Sequence, residues 1–139
     1  MTKILLVEDS KFIRLATERA LARAGYTVCI ASDGESAIAA ARQNAPDLIL
    51  LDLLLPKMGG QEVLKELKRD PMTSHIPVVV LTGMSEKNSQ RLRHDGAYAF
   101  LGKDSLALDR SSEGLLEAVA RILGELKLEA PPGAMAAGK

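Results

Sequence analysis

A net charge is the first thing this chain lacks. Eighteen basic and eighteen acidic residues cancel, so no sequence-wide field favours nucleic acid or an anionic membrane. Aromatic residues make up only 3% of the 139. That leaves no aromatic-and-basic stripe on which RNA or single-stranded DNA could stack. It also requires an aliphatic core, drawn from the 47% of residues that are hydrophobic. Cysteine is limited to Cys29, which excludes an internal disulfide. Within Thr27-Val28-Cys29-Ile30-Ala31 it reads as a buried structural thiol. No apolar run reaches transmembrane length, and Met1-Thr2-Lys3 leads straight into an apolar strand instead of a signal peptide. The expectation is a cytoplasmic protein of one domain with no internal repeat, no membrane partner and no direct nucleic-acid partner.

What is present is an alternation of strands and helices, the mark of an α/β fold with a parallel sheet. Ile4-Leu5-Leu6-Val7 is followed by apolar residues at helical spacing: Phe12, Ile13, Leu15, Ala16, Ala20 and Leu21. Gly25 closes that helix. The second strand is Thr27 to Ala31; Ser32 or Asp33 caps a helix that stops before Pro46. The third strand, Leu48-Ile49-Leu50-Leu51, is solidly apolar and so buried on both faces. Its helix spans about Gln61 to Arg69, buries Val63, Leu64 and Leu67, and is closed by Asp70-Pro71. A fourth strand from about Pro77 leads to a polar helix capped by Ser85 and ended by Gly96. A fifth strand, Tyr98 to Leu101, precedes a last helix from Ser111 or Ser112 with a strong apolar stripe, Leu115 to Leu126. Residues 130–139 read as a flexible tail after a domain of residues 1–129.

The chemistry lies at the strand ends. Asp52 follows four apolar residues directly, and Pro56, Gly59 and Gly60 then impose a turn. Burying an unpaired charge is costly, so an acid there calls for a metal ion, a covalent role or both. Glu8 and Asp9 follow the first strand in the same way. Ligands of open parallel sheets bind outside the carboxyl ends of strands, where these three carboxylates can meet and a divalent cation can neutralise them. Oxygen-only ligands favour Mg²⁺ or Ca²⁺ over zinc. The fourth strand ends in Thr82-Gly83 and the fifth in Gly102-Lys103. Carboxylates, a hydroxyl and an ammonium at one sheet edge suit phosphoryl chemistry, with a carboxylate as nucleophile. His75 and His94 read as surface residues.

With Glu8-Asp9, Asp52 with Pro56, Met58 and Gly60, Thr82-Gly83 and Lys103 in this order, the chain resembles the receiver domain of two-component response regulators, of the stand-alone, chemotaxis-regulator-like kind. The resemblance covers about residues 3 to 123. It implies a doubly wound five-stranded parallel sheet of flavodoxin-like order 2-1-3-4-5 with helices on both faces. It implies that Asp52 accepts a phosphoryl group from a sensor histidine kinase or a histidine phosphotransfer protein. Asp9, Asp52 and the backbone carbonyl of Leu54 bind Mg²⁺ in this reading, and Glu8 holds a metal-bound water. Lys103 pairs with the phosphoryl group and Thr82 hydrogen-bonds it. Phe100 takes the aromatic switch position, turning inward as Thr82 moves. The face of the fourth helix, fifth strand and last helix then changes for a downstream protein partner. The protein is thus a switch that promotes its own Mg²⁺-dependent phosphorylation and dephosphorylation, not an enzyme acting on external substrates.

The alternatives are a receiver module acting through a separate or missing effector domain and, in a different class, a phosphatase-like aspartyl-phosphate enzyme. The second needs a general acid two residues after its nucleophile, where this chain has Leu54. A dinucleotide enzyme needs a Gly-rich turn after its first strand, where this chain has Glu8-Asp9-Ser10-Lys11. Leu54 and Met84 are apolar at positions that control water access in the family, so a long-lived phosphoryl group is expected. Asp104 stands where proline usually follows the lysine, and a trans Lys103-Asp104 bond is expected because a non-proline cis bond costs about 2.5–4 kcal/mol.

Overall fold

Solid apolar runs can form strands only where both faces are covered, and three such runs make the centre of the sheet. The computed structural model describes residues 2–53, 55, 58–82, 93–102 and 113–126. They form β1 (Lys3–Val7), α1 (Lys11–Arg23), β2 (Thr27–Ala31), α2 (Gly34–Asn44), β3 (Leu48–Asp52), α3 (Gly60–Arg69), β4 (Val78–Thr82), β5 (Ala99–Gly102) and α4 (Glu113–Glu125). The sheet is parallel throughout, in the order β2-β1-β3-β4-β5. This is the expected doubly wound arrangement. Alternate residues of each central strand enter opposite core layers. Leu5, Val7, Ile49, Leu51, Val78 and Val80 pack with Ala37 and Ala41 of α2 and Val63, Leu64 and Leu67 of α3. Ile4, Leu6, Leu48, Leu50, Val79 and Leu81 pack with Leu21 of α1 and Leu115, Val119, Ile122 and Leu123 of α4.

Helix boundaries follow local chemistry. Asp33 caps α2 by accepting from Ser36 N at 2.8 Å. Gly25 follows α1 with φ of 102°, a left-handed conformation that suits glycine. Ala45 adopts the same region at φ 46° without being glycine, a feature not expected from the sequence. Pro46 follows and disfavours the helical conformation at Ala45. Arg93 and His94 are helical and Gly96 turns with φ of 113°. The rest of the expectation of a polar helix from Ser85 falls on residues 85–92, outside the described residues. Ser111, Ser112 and residues 127–139, which include the tail expected over residues 130–139, lie outside them too. Among the described residues, no helix is long and apolar enough to cross a membrane.

Two expectations are corrected. Phe12 belongs to the apolar pattern of α1 but is 81% exposed, and Leu15 is also exposed. The helix's first turns overhang the carboxyl edge of the sheet, and its buried residues, Ala20 and Leu21, lie in its second half. Cys29 is only half-buried, because β2 is an edge strand.

Asp70 ties α3 to α2. Its carboxylate accepts from Met72 N at 2.9 Å and from Arg42 Nε at 2.6 Å. The backbone bond from Met72, then the Arg42 guanidinium, hold its carboxyl below the ordinary value of 3.8. A folded-state pKa below the unfolded value gives stability that is present above the unfolded value and lost as pH falls through the folded one. Acid titration by NMR should therefore find Asp70 titrating below 3.8, and Arg42→Ala should move it upward. A pKa of Asp70 unchanged by Arg42→Ala would remove the guanidinium as a cause.

Candidate functional site

The sheet register brings the acidic strand ends side by side. Val7 of β1 pairs with Leu51 of β3, and Asp52 pairs with Leu81 of β4. Glu8 and Asp52 therefore stand one step beyond the same rung of neighbouring strands. Thr82 pairs with Gly102 at the end of β5, so the peptide preceding Lys103 is at the same edge. Lys103 itself, Leu54, Pro56, Gly83, Met84 and Asp104 lie outside the described residues. Thr82 is placed by its backbone alone.

Glu8 is 1% and Asp52 2% exposed, whereas Asp9 faces solvent. The split has a local cause. Glu8 N donates to Ala31 O at 3.0 Å and extends the β1–β2 ladder by one residue. The Glu8 carboxylate turns in and accepts from Ser10 N at 3.1 Å. Ser10 is the N-cap of α1, with its Oγ accepting from Ile13 N. Asp9, between them, is left pointing outward. Arg14 reaches back along the helix. Its Nη1 donates to the backbone carbonyls of Glu8 at 3.3 Å and Asp9 at 3.4 Å, pinning the acidic turn from below. Sequence reasoning missed Arg14; the available signal was a basic residue one helical turn after a Ser N-cap.

The turn after Asp52 is shaped by Gly60. Gly60 N donates to Leu53 O at 3.0 Å. A Cβ added at Gly60 would lie 2.5 Å from Leu53 Cα and 2.6 Å from Asp52 O, so only glycine lets α3 begin this close to the acidic strand end. Met58, two residues earlier, packs over Gly34 at the start of α2, where an added Cβ would meet its Cβ and Sδ at 3.0 Å. The family-motif residues Met58 and Gly60 therefore act by fit.

Among the described residues, no three His, Cys, Asp or Glu side chains converge as a ready ligand set. The structure brings Glu8 and Asp52 to adjacent strand ends and leaves Asp9 turned away. The donor set, carboxylates without His or thiolate, fits a hard divalent cation.

Phe100 is half-buried on β5, against the α2–α3 layer of the core. The guanidinium carbon of Arg93 lies 5.0 Å from its ring centroid. Tyr98 on the same strand donates from its hydroxyl to Glu125 Oε1 of α4 at 2.9 Å. That hydrogen bond to a carboxylate, then desolvation, pushes the Tyr98 phenol up from 10.0. It also staples β5 to α4.

Comparison with known proteins matches this geometry. Residues 4–110 match the family model of the response regulator receiver domain. The polar-differentiation response regulator DivK of Brucella ovis is 36% identical over 105 residues, covering 74% of this chain and 85% of DivK. Other curated relatives are much longer, and the chain spans 14%, 32% and 22% of three of them. The fold superposes on a Vibrio cholerae chemotaxis response regulator with a TM-score of 0.79 at 33% identity, covering 88% of this chain and 99% of that one. It also superposes, with a TM-score of 0.76 at 26% identity and coverages of 88% and 98%, on the receiver domain of a Pseudomonas aeruginosa sensor histidine kinase that carries magnesium in its active-site cleft. The buried acids at the carboxyl edge, the strand order and these matches together show that the chain belongs to the response regulator receiver-domain family, the phosphorylation-activated modules of two-component signalling.

Proposed function

We propose that Asp52 is the phosphoacceptor of this receiver. The observation that carries the reading is a carboxylate, 2% exposed, ending a central strand beside a second buried carboxylate, Glu8. An acid at that position is costly to keep and becomes useful if it is a nucleophile. The donor is a sensor histidine kinase or a histidine phosphotransfer protein. A carboxylate oxygen of Asp52 attacks the phosphorus, a P–O bond forms, and the donor P–N bond breaks with its electron pair returning to the imidazole.

Glu8, Asp9, Asp52 and the Leu54 carbonyl would hold the Mg²⁺, with Glu8 acting through a bound water. Mg²⁺, when bound, neutralises negative charge shared between the acidic cluster and the phosphoryl oxygens. The chain's own residues supply the rest. Gly60 and the Leu53 carbonyl set the acceptor turn, Arg14 holds the acidic turn, and Lys103 pairs with a phosphoryl oxygen. Thr82 donates to another and moves toward it, and Phe100 turns into the space released. The surface around β5 and α4 then changes for a downstream protein. This is a two-state shift biased by a local charge event. The same cluster supports autophosphorylation from small phosphodonors and autodephosphorylation, without turnover on other substrates.

Asp9 is the exposed member of the acidic cluster. Calorimetric titration with Mg²⁺ should show one saturable site, and Asp9→Asn should weaken it by at least about tenfold, the scale on which losing a metal-site partner acts. Phosphorylation from acetyl phosphate should fall in parallel. Unchanged Mg²⁺ affinity in Asp9→Asn would remove that residue from the ligand set.

A further inference from the structure

We infer that Arg93 is a positioning residue for the switch ring, holding Phe100 in its present orientation and so biasing the receiver against the phosphorylated conformation. The inference rests on the reading of Phe100 as the switch. It deepens that reading by naming what restrains the ring in this chain.

Phe100 has no hydroxyl, so no hydrogen bond can set its orientation. It is half-buried, with one side against the core layer of α2 and α3. The Arg93 guanidinium carbon lies 5.0 Å from the ring centroid, within the range where a cation is attracted by the ring quadrupole. Among the described residues, the guanidinium lies over this ring and Arg93 enters no ion pair. The two residues belong to different elements. Arg93 is helical and precedes the Gly96 turn that leads to β5, while Phe100 is paired to Val80 within the sheet. The contact therefore exists only while the two segments keep this relation. A ring that turns inward carries its face away from an exposed guanidinium, which cannot follow into the core without desolvation. The interaction thus favours one of the two ring states, and any ligand of the other state must work against it. Interactions of this kind at exposed sites shift a two-state equilibrium by about two- to five-fold, and linkage passes the same factor to the apparent affinity for an activating ligand.

The sequence makes the ring easy to observe. It contains two phenylalanines, and the other, Phe12, is 81% exposed. In a Phe12→Leu background, Phe100 alone reports. With [ζ-¹³C]phenylalanine, Arg93→Gln should move the Phe100 resonance toward its position in protein saturated with Mg²⁺ and beryllofluoride, a tetrahedral mimic of the phosphoryl group. The beryllofluoride midpoint should fall about two- to five-fold. Arg93→Lys, which keeps the charge, should stay near the parent. Ring fluorination drains the quadrupole, so 4-fluoro- and then 3,4,5-trifluorophenylalanine should lower the midpoint stepwise in the Arg93 protein and leave it unchanged in Arg93→Gln. A purely steric role for Arg93 does not produce that series. A parent Phe100 resonance that ignores beryllofluoride overturns the assignment of Phe100 as the switch. A normal parent response with Arg93→Gln indistinguishable from it overturns the role of Arg93 alone.

Discussion

Replacing Asp52 by Asn is expected to abolish phosphoryl uptake. The two side chains have nearly the same shape, so the change removes the nucleophilic charge and little else. Asp52 sits at 2% exposure at the end of β3, and an amide there cannot attack phosphorus. Incubated with acetyl phosphate or phosphoramidate and Mg²⁺, the parent should gain one phosphoryl group by intact mass and the variant none. The stability result should run the other way. Asp52 and Glu8 are two carboxylates buried on neighbouring strands, and removing one relieves repulsion in a medium that screens poorly. Without Mg²⁺, Asp52→Asn should therefore melt at or above the parent temperature. Loss of phosphorylation together with lower stability would mean that the variant had merely lost its fold. Phosphorylation retained in a stable Asp52→Asn protein would move the acceptor to another carboxylate.

The features that were legible in the sequence share one physical property: they interrupt a pattern that packing enforces. Leu48 to Leu51 and Val78 to Leu81 had to be apolar at every position because helices cover both faces of the sheet. Against such runs, Glu8 and Asp52 stand out as residues with no packing reason to be there. The Asp33 cap and the Gly25 turn were legible because backbone geometry restricts which residues serve. Both also set the helix ends correctly.

What remained hidden depends on the third dimension. Helical spacing identifies apolar positions but not how far along its length a helix stays over the core, so Phe12 and Leu15 read like Leu21 although they are exposed. The divergence of Glu8 and Asp9 depends on where the Ser10 N–H points, which two adjacent acids in a sequence do not reveal. Arg14 and Arg93 are arginines among many on exposed helix faces. Only the fold shows that one meets the carbonyls of the acidic turn and the other a ring across the Gly96 bend. A guanidinium on a long flexible stem leaves no periodic trace, which is why both escaped.

Gly60→Ala should damage stability and function together, while the neighbouring Gly59→Ala should spare function and cost less stability. At Gly60 the added methyl would lie 2.5 Å from Leu53 Cα, 2.6 Å from Asp52 O and 2.9 Å from Leu53 O. All three are backbone atoms, so no rotamer change relieves the overlap. Either α3 withdraws from the sheet, stretching the Gly60 N to Leu53 O bond of 3.0 Å, or the acceptor turn is pushed outward. Overpacking of this kind costs about 1–3 kcal/mol. The clash acts on the peptide that carries Asp52, and displacing a reacting group by about 1 Å can cost on the order of 10²-fold in rate. Among the described residues, an added Cβ at Gly59 meets nothing within 4 Å. That residue is the N-cap of α3 and makes no side-chain hydrogen bond, so alanine there should cost only about 0.5–1 kcal/mol, the margin by which glycine outranks it as a cap. Urea denaturation and initial rates of phosphorylation, measured on both variants, separate the cases. The expected result for Gly60→Ala is a lower unfolding midpoint and a slower reaction, with Mg²⁺ affinity also reduced, since Asp52 belongs to both sites. A Gly60→Ala protein as stable and as fast as Gly59→Ala would mean that α3 shifts without moving the acceptor, and that Gly60 has no part in placing Asp52.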